Sequence, residues 1–112
     1  MSESPAAALQ VVGVRYRGSR PAQGDERALD AYAAAGVYAH AHVPFEVVEP
    51  AMPEQLRGDD EPANLGLIGG AIAEAVAAAR RAGRAVLMTG GDCTHITGVL
   101  AGCRMSTARR RA

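Results

Sequence analysis

The chain has no lysine, no tryptophan and one phenylalanine, and only two of its 112 residues are cysteine. With so few aromatics, and 24 alanines against 21 Val, Ile, Leu and Phe combined, it has little large apolar surface to bury, so a thin core is expected. The 12 basic residues are all arginine and are balanced by 12 acids, giving a formal net charge of zero. That balance argues against a chain built to coat nucleic acid or an anionic membrane, and neither is expected as a partner. The one local excess is Arg104, Arg109, Arg110 and Arg111, which reads as a nucleic-acid tail or as a solvated, disordered terminus. No stretch is expected to reach the length of a membrane span. Met1–Ala8 lacks the basic segment and apolar run of a signal peptide, so the expected compartment is the cytoplasm. Cys93 and Cys103 would lie about 15 Å apart on one helix, beyond the roughly 7 Å that a disulfide spans, so no pairing is expected.

Alternating element signals fill most of the chain. Leu9 to Val14 is short, apolar and valine-rich, as a buried strand is. A loop from Tyr16 to Gly24 follows; its Arg15, Arg17 and Arg20 line a ligand pocket or are simply solvated. Asp25 predicts an N-cap for a helix to about His40 with Leu29, Tyr32, Gly36 and His40 on one face, although Gly36 is a candidate terminator. Phe45 to Val48 is a second strand between Pro44 and Pro50. From about Pro62 to Ala82, Leu65, Ile68, Ile72, Val76 and Ala79 repeat at helical spacing, and Gly83 stands where a terminating glycine belongs. Ala85 to Thr89, apolar throughout, is a third strand expected to be covered on both faces. Asp92 can cap a last helix over Cys93 to Gly102. The order β-α-β-α-β-α implies an α/β fold with a parallel sheet and right-handed crossovers. The expected division is a disordered terminus over 1–8, one partial domain over 9–102 and a basic tail over 103–112.

The informative segment runs from Met88 to Gly98. It lies at the carboxyl end of a parallel strand, where α/β sheets place ligands. Gly90 and Gly91 allow a sharp turn and a close backbone approach, and the following helix points its amide groups at the same place. Asp92, Cys93, Thr94 and His95 bring a carboxylate, a thiol, a hydroxyl and an imidazole to that strand end.

Here the chain resembles the ureohydrolase (arginase/agmatinase/formiminoglutamase) family, whose members carry Gly-Gly-Asp-His-Ser at a strand end and a glycine in the helix that follows. Gly90, Gly91, Asp92 and Gly98 match, and so does the upstream element order from about Gln10. The resemblance implies a three-layer α/β sandwich, of which this chain is an incomplete portion. It also implies hydrolysis of a small guanidino-type substrate at a C–N bond, releasing urea, at two manganese ions bridged by hydroxide. The metal positions it implies are Asp92, Cys93 and His95, with Arg17, Gly90 and Gly91 near substrate. Cys93 replaces the family's histidine ligand, although manganese prefers oxygen and imidazole to thiolate. The family's later Asp-x-His-x-Asp and Asp-x-Asp motifs do not occur here. A truncated form, not active alone, is therefore expected, and assembly into a homo-oligomer is left open.

Other readings stand beside these. Cys93 is a nucleophile, a vestigial metal position or a packing residue; His95 is a ligand, a base or a polar contact at the helix start. His40-x-His42 binds a metal on a strand but diverges on a helix end, which is the expected placement. Gly66-x-x-Gly69-Gly70 looks like a dinucleotide loop but sits inside a helix, where close helix–sheet packing is expected. The alternative function is a small non-catalytic module that binds an anion or nucleotide at Gly90-Gly91 and the helix N-terminus.

Overall fold

The computed structural model describes residues 8–22, 24, 27–90 and 92–111, the side chains of 108–111 excepted. The expected N-cap Asp25, the turn glycine Gly91 and most of the expected disordered terminus lie outside them. Three strands, β1 (Leu9–Val14), β4 (Phe45–Val48) and β5 (Ala85–Gly90), form a parallel sheet in the order β4-β1-β5. Two short strands between them in sequence, β2 (Tyr16–Arg17) and β3 (Arg20–Pro21), pair antiparallel as a hairpin. Three helices, α1 (Arg27–Ala34), α2 (Glu61–Arg81) and α3 (Ile96–Arg111), complete a mixed α/β fold.

The sheet is apolar on both faces of its central strand, and the period-2 alternation of β1 divides the core accordingly. Val12 and Val14 pack with Ile68, Ile72 and Val76 of α2, while Val11 packs with Leu29 of α1 and Tyr38. α1 thus lies on one face and α2 on the other, with α3 packed against α2. The core is as thin as the composition predicts.

Helix ends follow local chemistry. Gly83 adopts φ +79°, its N–H bonds Arg80 O and the Arg84 N–H bonds Ala79 O, a Schellman closure that ends α2. The first helix is shorter than the one expected to reach His40. Gly36 at φ +76° breaks it, and Tyr38–Ala41 forms a separate 3₁₀ turn capped by His42 at φ +58°. His40 and His42 therefore sit on a helix end and are exposed, as expected. Tyr32 is about half exposed, and Tyr38 takes the buried place instead.

Four further expectations need correction. Thr89 is buried, but Leu87 of β5 is 40% exposed, because β5 is a sheet edge with no strand on its outer side. The last helix does not stop at Gly102 but continues to Arg111, through the segment expected to be a tail. The α2 glycines are not at a close helix–sheet contact, since a Cβ on Gly66, Gly69 or Gly70 would meet nothing within 4 Å; the close contact falls on the α3 glycines. A Cβ on Gly98 would stand 2.9 Å from Gly69 O, and one on Gly102 would stand 2.6 Å from Ala73 O, so α3 lies against α2 backbone to backbone, with the two helices parallel. Finally, α2, at 21 residues, is by length and composition alone long and apolar enough to cross a bilayer. Its stripe of Ile68, Ile72 and Val76 is fully buried against the sheet, as in the core helix of a globular protein.

Candidate functional site

Strand β5 delivers the chain to the carboxyl edge of the sheet and ends at Gly90, whose φ is +86°. A Cβ there would stand 2.6 Å from Val14 O on the neighbouring strand, so both the dihedral and the close approach require glycine. Asp92 follows in extended conformation and caps the 3₁₀ turn Cys93–His95 that leads into α3.

The cap is a reciprocal one. Asp92 Oδ1 accepts from Thr94 N at 3.2 Å and from the Thr94 hydroxyl at 2.5 Å, while His95 Nδ1 accepts the Asp92 N–H at 3.1 Å. Histidine here stands where a capping box usually has glutamate or glutamine. The same two residues reach across to the β2–β3 hairpin. Asp92 Oδ2 accepts the Gly18 N–H at 3.0 Å, and His95 Nε2 donates to Gly18 O at 2.9 Å. Because Nδ1 accepts, the ring proton belongs on Nε2, and the imidazole is the neutral Nε2–H tautomer.

Gly18, at φ +60°, is therefore held at both its N–H and its C=O. The hairpin has a second anchor at the start of α2. The buried Ser19 hydroxyl donates to the Glu61 carboxylate at 2.8 and 3.0 Å, and Arg57 donates to Ser19 O while pairing with Glu54. Asn64 braces the entry to α2 by exchanging bonds with Gly58 N–H and C=O. On the other side Arg15 bridges Asp30 at 2.9 Å and Glu49 at 2.6 Å, which raises its guanidinium well above the ordinary range. A cleft of about 280 Å³, lined by Arg15, Tyr16, Pro21, Glu49, Pro50 and Ala51, opens beside it.

Electrostatics follow these contacts. The Asp92 carboxyl is held below its ordinary value of 3.8, chiefly by the Thr94 hydroxyl and then by the Gly18 and Thr94 N–H groups, against an opposing desolvation. Glu61 is lowered from 4.5, first by the Ser19 hydroxyl.

The structure thus brings Asp92 and His95 together and leaves Cys93 exposed and unpaired in the same turn, with Cys103 also free. They do not combine into the expected metal site. Among the described residues no group of three or more His, Cys, Asp or Glu is placed to hold a metal ion. The donor chemistry does not fit manganese either. Both nitrogens of His95, which is 2% exposed, are committed to backbone groups, and both oxygens of Asp92 accept hydrogen bonds. Of the expected substrate contacts, Arg17 is an exposed hairpin residue that does not line the neighbouring cleft, Gly90 is fixed by the Val14 backbone, and Gly91 lies outside the described residues.

Sequence reasoning missed Gly18 as the hub and Ser19, Glu61 and Arg57 as its second anchor. Only the Asp92-x-x-His95 spacing, a variant of the capping-box signature, carried a signal for the first of these links. Compared with known proteins, the chain matches no family model and no curated sequence.

Proposed function

We propose that this chain is a partial unit of the arginase-like ureohydrolase type, in which the turn after β5 fastens the fold and does not by itself hydrolyse a guanidino C–N bond. The family part rests on Gly90, Gly91, Asp92 and Gly98 together with the strand and helix order. The observation that carries the inactivity is the full commitment of Asp92 and His95 to Gly18, Thr94 and each other. A ligand histidine must present a ring lone pair to the metal, and His95 Nδ1 uses its lone pair on the Asp92 N–H. In the family the metal pair would polarise the substrate and lower the pKa of the bridging water. No step here is assigned to it.

The test is urea release from arginine, agmatine and guanidino acids by the purified chain with added manganese, alongside metal content by mass spectrometry. We expect no turnover and no stoichiometric manganese. Turnover above a metal-free control would overturn the inactivity. The alternative anion module has no comparable support at this turn. The Asp92 carboxylate already accepts the Thr94 N–H and places a negative charge where the anion would sit.

A further inference from the structure

The opposite edge of the sheet, where α2 ends and β5 begins, concentrates positive charge. Residues 80–111 contain seven arginines and one acid, Asp92, which lies before the start of α3. Because α2 and α3 run parallel, Arg80 and Arg81 in the last turn of α2 come beside Cys103, Ser106 and Thr107 of α3. With Gly83 these residues line a cleft of about 400 Å³. Among the described residues no carboxylate pairs with Arg80, Arg81 or Arg104, whereas the neighbouring Arg84 is paired with Glu46. The carboxyl end of α2 supplies roughly half a negative charge, too little to neutralise the two guanidiniums that line the cleft.

We propose that this cleft binds a small phosphate-class dianion. Guanidinium forks match phosphate oxygens in paired, charge-assisted hydrogen bonds. Walls of one sign focus the field into the cleft, and its volume suits a small molecule. Arg80 already donates to Arg84 O at 2.9 Å and retains further N–H groups, while Arg81 makes no such bond among the described residues. The Thr107 hydroxyl, back-bonded to Cys103 O at 3.1 Å, can turn outward to donate; Ser106 stays buried on the same carbonyl at 2.8 Å. The cleft is open to water, so binding is modest and weakened by salt. This inference is independent of the proposed function, because the two places lie at opposite edges of the sheet.

The experiment is a ¹H–¹⁵N NMR titration of the whole chain at low ionic strength with inorganic phosphate, repeated with phenyl phosphate. We expect saturable shifts clustered at residues 80–84 and 103–107, with a Kd on the order of 1 mM. Arg81→Gln should raise that Kd about fivefold, and Arg80→Gln/Arg81→Gln should raise it further, with the melting temperature unchanged. Tighter binding of phenyl phosphate would identify an ester ligand, and equal binding the free ion. The proposal is overturned by shifts that never saturate, by a Kd that both variants leave unmoved, or by shifts centred on Gly18, Asp92 and Thr94.

Discussion

Asp92 carries more structure than any other single residue of the turn. It caps the 3₁₀ turn before α3, locks the Thr94 hydroxyl and holds the hairpin through Gly18. Its folded pKa lies below its ordinary 3.8, so the native state takes up the proton less readily than the unfolded chain. The stabilisation is therefore complete above the unfolded value, about pH 4, and is lost as pH falls through the lower folded value. Glu61, lowered through Ser19, acts in the same direction. Asp92→Asn should lower the denaturation midpoint at neutral pH and flatten its decline as the pH falls below about 4. Urea melts of both proteins at several pH values measure this. Parallel acid limbs for wild type and variant would show that the carboxylate is not what the fold protects.

Among the elements, the crossing of α2 and α3 depends on missing side chains. A Cβ on Gly102 would meet Ala73 O and the Val76 Cβ, both at 2.6 Å, and a backbone carbonyl cannot swing aside. Gly102→Ala should therefore cost about 1–3 kcal/mol, the usual range for overpacking, and lower the melting temperature by about 5 °C or more. Gly66 and Gly70, on exposed parts of α2, meet nothing within 4 Å. Alanine at either should stabilise by about 0.5–1 kcal/mol through helix propensity alone. Calorimetry on the set checks the opposite signs, and equal shifts for Gly66→Ala and Gly102→Ala would refute the close crossing.

The same elements show where the sequence was legible. Leu9–Val14, Phe45–Val48 and the helix closed by Gly83 were readable because valine runs, flanking prolines and a terminal glycine act locally. The β2–β3 hairpin was not, because two-residue strands carry no period. Nor was the role of Gly18, whose partners Asp92 and His95 lie more than seventy residues away. The motif at Gly90 to Asp92 was visible as a turn, but whether its polar atoms faced a ligand or the backbone depended on that distant hairpin.

At the scale of the whole molecule, the weakness is the α1 side of the sheet. Val47, Val11 and Leu87 stand in one row across the three strands. α1 has eight residues, about 12 Å of helix, and leaves both ends of that row partly open. Val11 is fully buried, while Val47 and Leu87 on the edge strands remain 42% and 40% exposed, with Phe45 at 44% beside them. A run as apolar as β5, with an unpaired edge and no charge or proline to protect it, favours self-association. Leu87→Lys places a charge on that edge without emptying a core site. It should reduce fluorescence from the apolar-surface dye ANS and delay concentration-dependent association, while shifting stability by no more than about 0.5 kcal/mol. Light scattering across a concentration series, with a melt of each protein, measures both. A large loss of stability would mean that Leu87 is packed as core, and unchanged scattering would mean that the exposed row does not drive association.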